Sequence, residues 1–282
     1  MQHQLDFMPT EHRQFLQDSV RELRSDNRIV GVAGGGSFIR QQMDEFSDLD
    51  LVVAIEPQEF EQVMAERTLI ASRLGKLVSS FTGEHVGEPR LLICLYDEPT
   101  LHVDLKFVSL TDAADRVETP VILWERESRL SEAFMASKAC YPQPNLQWIE
   151  DRFWIWIHNA AMKIGRGELF EAIDFIGYLR STVLGPLLHL EAGSQPCGLR
   201  KIERVATERP TQLQATLPDY SQQSCLQAVE AVIRLYLSLR NSLAFEGLRT
   251  NPAAERVVKS YLETIAEKIN ESAPAEALEP SA

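Results

Sequence analysis

The sequence lacks features that would suit it to an oxidising compartment or to a membrane. Only four of its 282 residues are cysteines, and none forms a Cys-x-x-Cys pair: Cys94, Cys140, Cys197 and Cys225. Such wide spacing favours reduced, mostly buried thiols over disulfides or zinc ligands. The amino terminus has no basic start followed by an apolar run, and no stretch reaches about 18 apolar residues. These absences predict a cytoplasmic protein without a membrane segment.

Basic residues are scarce relative to acidic ones. The chain has 28 Lys and Arg against 41 Asp and Glu, a formal net charge of −13 at pH 7. A protein that binds nucleic acid through its phosphates normally has a basic face and a high pI, so we expect no nucleic-acid partner. An acidic surface would attract a small cationic molecule, although many proteins carry surplus acid for solubility alone.

A glycine-rich stretch, Gly34-Gly35-Gly36-Ser37, follows the apolar run from Ile29 to Ala33. It lacks the Gly-x-Gly-x-x-Gly spacing of dinucleotide-binding proteins. Glycines adopt the positive φ angles of a tight turn and let a ligand approach the backbone closely. A short helix is predicted next, from Ser37 to Met43, whose free N–H groups would favour an anion. We therefore expect Gly35, Gly36 and Ser37 to contact phosphate.

Two aspartates open the next apolar run, Asp48-Leu49-Asp50-Leu51. Side chains two residues apart on a strand point to the same face, so both carboxylates would lie side by side. This placement costs electrostatic energy unless a cation neutralises the pair, and Mg²⁺ prefers oxygen ligands and leaves sites open for phosphates. The pair predicts Mg²⁺-dependent phosphate chemistry.

A third carboxylate, Asp104, lies on a strand predicted from Leu101 to Val108, where apolar and polar residues alternate. Charged side chains cannot face a dry core without partners, so this strand should have one buried face and one polar face. A hairpin turn is expected to join it to another strand, Arg90 to Tyr96. His102 shares the polar face, and we interpret it as a surface or hydrogen-bonded histidine in preference to a catalytic one. A last strand is predicted around Val121 to Trp124.

The order of the turn at Gly36-Ser37, the pair in Asp48-Leu49-Asp50-Leu51 and the later Asp104 resembles the nucleotidyltransferase superfamily. That group contains the polymerase-β-like enzymes and the antibiotic adenylyltransferases. The stretch from Asp44 to Leu51 is most similar to the aminoglycoside adenylyltransferases of the streptomycin type. The resemblance runs roughly from Ile29 to Val108, less than a third of the chain.

The resemblance implies an enzyme that transfers a nucleoside monophosphate to a hydroxyl group. The donor would be ATP, which supplies AMP, or another nucleoside triphosphate. Asp48 and Asp50 would bridge two Mg²⁺ ions, and Asp104 would ligate the ion that activates the hydroxyl. Gly36 and Ser37 would hold the β- and γ-phosphates. The expected acceptor is a small cationic compound such as an aminoglycoside, which implies antibiotic resistance. Alternatives are modification of a protein, as in toxin–antitoxin systems, and nucleotide binding without turnover.

The prolines of the segment Tyr141-Pro142-Gln143-Pro144-Asn145 predict a domain boundary, because they remove N–H donors and disfavour helix. We expect residues 1–144 to form a catalytic domain with a small mixed sheet flanked by helices. Residues 145–271 are expected to form a helical bundle, which makes the fold α+β. Residues 272–282 are rich in Ala, Pro, Glu and Ser and predict a disordered tail.

The helical half offers one candidate for nucleotide binding, Lys163, on the polar side of a helix predicted from Leu146. A cation there could pair with a triphosphate or with departing pyrophosphate, and a solvated helix residue is an equally good interpretation. Glu168, Glu171 and Asp174 could meet substrate amines, although acidic residues early in a helix also stabilise its dipole. Further helices are predicted at Gly198–Glu208, Ser221–Phe245 and Pro252–Asn270.

Overall fold

The computed structural model describes residues 5–244 and 246–272 and divides the chain into two compact units, Met1–Tyr141 and Pro142–Ala282. The first unit contains a six-stranded sheet and helices, and the described residues of the second are helices and loops. The predicted α+β class, a mixed sheet with helices followed by a helical region, is confirmed. Of the disordered tail predicted at 272–282, residues 273–282 lie outside the described residues.

The sheet of the first unit mixes antiparallel and parallel strands. Its strands are β1 (Ile29–Gly34), β2 (Leu49–Ile55), β3 (Lys76–Gly83), β4 (Glu88–Asp97), β5 (Leu101–Ser109) and β6 (Val121–Glu125). Their spatial order is β3-β4-β5-β2-β1-β6; β2 and β5 run parallel, and the other neighbours are antiparallel. The helices of this unit are α1 (Thr10–Ser25), α2 (Phe60–Ser72) and α3 (Arg129–Met135).

Strand β1 is buried at all six positions because apolar side chains pack on both faces of the sheet. Ile29 and Val32 belong to a core cluster that includes Phe15 and Leu16 of α1. The opposite face has a separate cluster, which contains these residues of β1 and α3: Val30, Ala33, Leu130 and Phe134. This burial on both sides fixes the end of β1, where the glycine turn begins.

The strands predicted on either side of the hairpin are confirmed as β4 and β5, and the last predicted strand is β6. The helix predicted from Ser37 to Met43 is wrong. Only one 3₁₀ turn forms, from Gly36 to Phe38. Gly36 and Gln41 both have positive φ, +56° and +53°, and neither angle is compatible with a continuous right-handed helix. The chain therefore reaches Asp48 as an irregular loop.

The helices of the second unit are α4 (Leu146–Arg166), α5 (Leu169–Leu179), α6 (Gly185–Glu191), α7 (Ile202–Val205), α8 (Pro210–Gln214), α9 (Gln222–Ser242) and α10 (Pro252–Ser272). A π-helical turn, Arg180–Leu184, joins α5 to α6. The last two predicted helices are confirmed as α9 and α10, and Phe245, the predicted end of the first of them, lies outside the described residues. The helix predicted at Gly198–Glu208 shrinks to α7, because Gly198 and Lys201 have positive φ. No helix in the described ranges is long and apolar enough to cross a membrane.

The core of the second unit contains a buried carboxylate, that of Glu150 on α4, which is only 2% exposed. It accepts hydrogen bonds from the hydroxyl of Tyr236 and from the guanidinium of Arg240, the latter at 3.0 Å. Burial raises the pKa of Tyr236, which keeps the phenol protonated as a donor. The polar groups are thus satisfied by one another, and they join α4 to α9.

Candidate functional site

Three aspartates meet on the sheet of the first unit. Asp50 of β2 and Asp104 of β5 are direct partners across the parallel strand pair, and Asp48 immediately precedes β2. One carboxylate oxygen from each residue lies within 4.8 Å of the other two, and all three side chains are half-buried. The residues singled out in the sequence therefore converge at one place.

Such a cluster, which we call the aspartate triad (Asp48, Asp50 and Asp104), is suited to a cation. Carboxylates this close repel one another, and a divalent ion removes the repulsion while accepting an oxygen from each. Every potential ligand atom is a carboxylate oxygen, which is the hard donor that Mg²⁺ prefers over nitrogen or sulfur. The donor chemistry of the triad therefore fits Mg²⁺.

The glycine turn packs directly against the triad. The N–H of Gly35 donates to the backbone carbonyl of Asp50 at 2.8 Å. At Gly36 the φ angle is +56°, and a β-carbon there would lie 1.9 Å from Oδ2 of Asp50. Only glycine satisfies both the backbone angle and the contact. The turn and the carboxylates thus form one compact site.

Ser37 follows in the same turn and is 6% exposed. Its buried hydroxyl has no hydrogen-bond partner within the part of the chain that the structure describes. A buried hydroxyl without a partner carries a desolvation cost of about 1–3 kcal/mol, so such a group is expected where a ligand completes the bonding. The turn therefore has a polar group available for a bound anion.

A fourth carboxylate near the site, that of Glu118, was not found in the sequence analysis. Its Oε1 accepts a hydrogen bond from the N–H of Gly36 at 2.8 Å. Gly34 of β1 pairs with Val121 of the antiparallel β6, so the loop that enters β6 runs beside the glycine turn. Residues 36 and 118 are 82 positions apart, and no motif spacing relates them.

Other polar residues of β5 also form contacts on this face. Nε2 of His102 lies 2.9 Å from Oδ1 of Asp104, so this histidine, predicted to be a surface or hydrogen-bonded residue, contacts the triad. Lys106 pairs with Glu88 at 2.8 Å, and Glu88 also accepts from Arg90 at 2.7 Å. These bonds, that from Arg90 foremost, lower the pKa of Glu88 to about 2.

In the second unit, the candidate cation is paired with one of the candidate acids. Lys163 of α4 forms an ion pair with Glu171 of α5. Arg166 lies 3.7 Å from Glu168, and Asp174 is exposed on α5. The sequence suggested a phosphate as the ligand of Lys163 and an amine as the ligand of Glu171. In the structure these two residues pair with each other.

The similarity of this chain to known proteins is confined to structure. No family model matches the sequence, and no curated protein matches it. Two solved structures are similar in fold: an aminoglycoside 6-adenyltransferase from Bacillus subtilis and a nucleotidyltransferase-like protein from Exiguobacterium sibiricum. The first has 17% identity and a TM-score of 0.36, and the match covers 89% of this chain and 97% of the other. The second has 13% identity and a TM-score of 0.38, with 92% and 91% covered.

At these identities and TM-scores neither similarity assigns an activity to this chain. The functional argument therefore rests on the chain's own residues.

Proposed function

We propose that this protein is a Mg²⁺-dependent nucleotidyltransferase that moves a nucleoside monophosphate, AMP from ATP, to a hydroxyl of a small cationic acceptor such as an aminoglycoside. One observation carries the proposal: the aspartate triad lies directly against the glycine turn at Gly36. A cation site and an anion site then lie side by side, which is what a metal-bound triphosphate requires. A cytoplasmic location, where ATP and Mg²⁺ are present, fits this reaction.

Each residue of the site has a role in the proposed reaction. Asp48 and Asp50 would hold Mg²⁺, and Asp104 would hold it from the neighbouring strand. Bound Mg²⁺ would neutralise charge on the phosphates and make the acceptor hydroxyl easier to deprotonate. The acceptor oxygen then forms a bond to the α-phosphorus, and the bond from that phosphorus to the β-phosphate oxygen breaks. Pyrophosphate would leave, and Asp104 would accept the hydroxyl proton.

Gly35, Gly36 and Ser37 would hold the β- and γ-phosphates. Two features support this role: Gly36 brings the turn into contact with the carboxylate of Asp50, and the hydroxyl of Ser37 is buried without a partner among the described residues. A phosphate oxygen would accept the hydroxyl proton and remove the cost of burying an unbonded donor.

The second unit would contribute charged residues for both substrates. Lys163 would pair with the phosphates, and Glu168, Glu171 and Asp174 would attract the amines of the acceptor. The surplus of acid over base in the whole chain supports a cationic acceptor. Because Lys163 and Glu171 are paired with each other, both of these roles require that ion pair to open.

The activity is tested by incubating the purified protein with labelled ATP, Mg²⁺ and a panel of aminoglycosides, followed by mass spectrometry of the small molecules. We expect an acceptor heavier by one AMP, with release of pyrophosphate, and no product from Asp50→Asn. Asp115→Asn, an exposed aspartate in the loop before β6, is the matched control and should retain activity. Labelling of a protein instead of any small acceptor would refute the proposed acceptor class.

The charge of the acceptor is tested by salt and by substitutions on α5. Exposed charges act over only about 8 Å at physiological ionic strength, so KM for a polyamine acceptor should rise steeply with salt. Asp174→Asn should raise that KM severalfold and leave KM for ATP unchanged. Glu171→Gln should also release Lys163, so it is compared with Lys163→Ala, which removes the same ion pair without removing the acid. If all the acidic variants were silent, the acceptor would not be recognised through α5.

A further inference from the structure

The N–H of Gly36 is already engaged by an anionic group of the protein itself. The acceptor is Oε1 of Glu118 at 2.8 Å. In the proposed function the same turn, with the buried hydroxyl of Ser37, receives the phosphates of the nucleotide. A carboxylate oxygen and a phosphate oxygen are chemically similar acceptors, so both would use this N–H. They cannot do so at the same time.

The position of Glu118 is built into the fold. Two residues earlier, the guanidinium of Arg116 donates to the carbonyl oxygens of Phe134 and Ser137, at 2.6 and 2.9 Å. The backbone carbonyl of Arg116 in turn accepts from the N–H of Cys140 at 2.9 Å. Pro120, two residues after Glu118, is buried at the start of β6. The loop therefore holds the carboxylate beside the turn from both ends.

The negative charge of Glu118 would repel a polyphosphate that binds at the glycine turn. A β-carbon at Gly35 would lie 3.4 Å from both Oε1 of Glu118 and the β-carbon of Asp50, so the two acids flank the same glycine. Among the described residues Glu118 is not one of the clustered potential metal ligands, and the group bonded to its Oε1 is a neutral N–H. Mg²⁺ held by the triad would therefore leave the charge of Glu118 unpaired. An anion entering the turn meets that charge directly.

We propose that Glu118 is an internal occupant of the anion site in the glycine turn, and that phosphate binds there by displacing it. This inference rests on the proposed function for the identity of the ligand as a nucleoside triphosphate. Glu118 thereby sets the affinity of the site: it weakens the binding of phosphates and favours the departure of pyrophosphate, because its carboxylate takes back the N–H of Gly36.

Binding measurements on two variants separate the charge of Glu118 from its occupancy. Glu118→Gln keeps an oxygen that can accept from Gly36 but removes the charge, and Glu118→Ala removes both. Asp115→Asn makes the same change of charge three residues away, at an exposed side chain. The dissociation constants of inorganic pyrophosphate and of Mg²⁺-ATP are measured by titration calorimetry for the wild type and all three variants.

We expect Glu118→Ala to bind pyrophosphate about tenfold more tightly than the wild type, the size of one hydrogen bond to a charged group. Glu118→Gln should bind it about threefold more tightly, and Asp115→Asn should match the wild type. For Mg²⁺-ATP the order should be the same. Equal or weaker binding by both Glu118 variants would overturn the inference, since Glu118 would then support the site as a ligand or a brace.

The two proposals can fail separately. If wild-type protein transfers AMP but the Glu118 variants bind pyrophosphate no more tightly, the displacement is wrong and the nucleotidyltransferase stands. If no transfer is found but Glu118→Ala binds pyrophosphate more tightly, the anion site and its internal occupant stand and the proposed reaction is wrong.

Discussion

Gly36 lies so close to Asp50 that no side chain fits between them: a β-carbon at residue 36 would clash with Oδ2 of the aspartate, at 1.9 Å. The neighbouring Gly35 also donates its N–H to the backbone of Asp50. The glycine turn therefore fixes one carboxylate of the triad, and in the proposed function the same turn also binds the phosphates. A substitution in the turn should therefore displace the carboxylate of Asp50 and weaken the proposed binding of Mg²⁺.

Gly36→Ala should abolish metal binding and transfer. The substitution adds the strain of a non-glycine residue at positive φ, about 1–3 kcal/mol, and also pushes the Asp50 carboxylate out of position. Gly87→Ala is the matched control, because Gly87 has φ +75° and no atom within 4 Å of its added β-carbon. Both variants should unfold at lower urea than the wild type, but only Gly36→Ala should lose the rise in Tm with Mg²⁺. Retention of that rise would show that the turn does not position Asp50.

Replacing any member of the triad by asparagine should eliminate transfer while preserving the fold. Without metal, each variant should be as stable as the wild type or slightly more stable, since one repulsive charge is removed. In Mg²⁺ the order reverses, because a ligand at about 100 times its Kd stabilises only the competent protein by about 2.7 kcal/mol. Thermal unfolding with and without Mg²⁺ measures both effects. A variant of Asp48, Asp50 or Asp104 with unchanged metal dependence would remove that residue from the site.

Ser37→Ala should affect the nucleotide and not the folded protein. The hydroxyl has no partner in the described structure, so its loss should leave the free energy of unfolding unchanged or raise it. Binding of Mg²⁺-ATP should weaken by about 1.5–3 kcal/mol, the value of a hydrogen bond to a charged group. Ser19→Ala removes another buried hydroxyl without a partner, on α1, and should not change nucleotide affinity. Equal affinities for the two variants would contradict the role of Ser37.

Glu88→Gln should destabilise the protein in a pH-dependent way. Arg90 and then Lys106 hold the pKa of Glu88 at about 2, below its usual 4.5. A carboxyl whose pKa is lower in the folded state contributes stability above its unfolded pKa and loses it as the pH falls through the folded value. We expect a loss of about 1–2 kcal/mol at pH 7 that shrinks steadily below pH 4.5. Urea unfolding across this range, with Glu61→Gln as the exposed control, checks the sign.

The triad could be predicted from the sequence because it depends on a local pattern, the alternation of side chains along a strand. Alternation along a strand fixes which side chains share a face, and two such strands carried acids on their polar faces, at Asp50 and Asp104. Strand β3 was not identified, because its exposed sequence, Lys76–Gly83, has little apolar periodicity and is ordered by pairing with β4. The helix predicted after Ser37 does not form, and the sequence did not reveal this because no local residue preference indicates the positive φ of Gln41.

Glu118 shows the other limit of reading a sequence. Its contact with Gly36 exists only because β6 pairs with β1, and the register of that pair is set by the whole sheet. A lone glutamate in a loop has no periodicity and belongs to no motif. Contacts of this kind become visible only when the positions of strands are known.

The parallel pairing of β2 with β5 has a consequence for how the protein acquires its site during synthesis. Between the two strands lie residues 56–100, which form α2 and the hairpin of β3 with β4 and must cross over before Asp104 can align with Asp50. Such distant pairing is slow compared with the formation of local helices. A nascent chain that ends before β5 carries Asp48 and Asp50 without Asp104, the third member of the triad. The three carboxylates therefore come together late, as a property of the pairing of β2 with β5, and under the proposed function a chain that is still incomplete would not yet hold Mg²⁺.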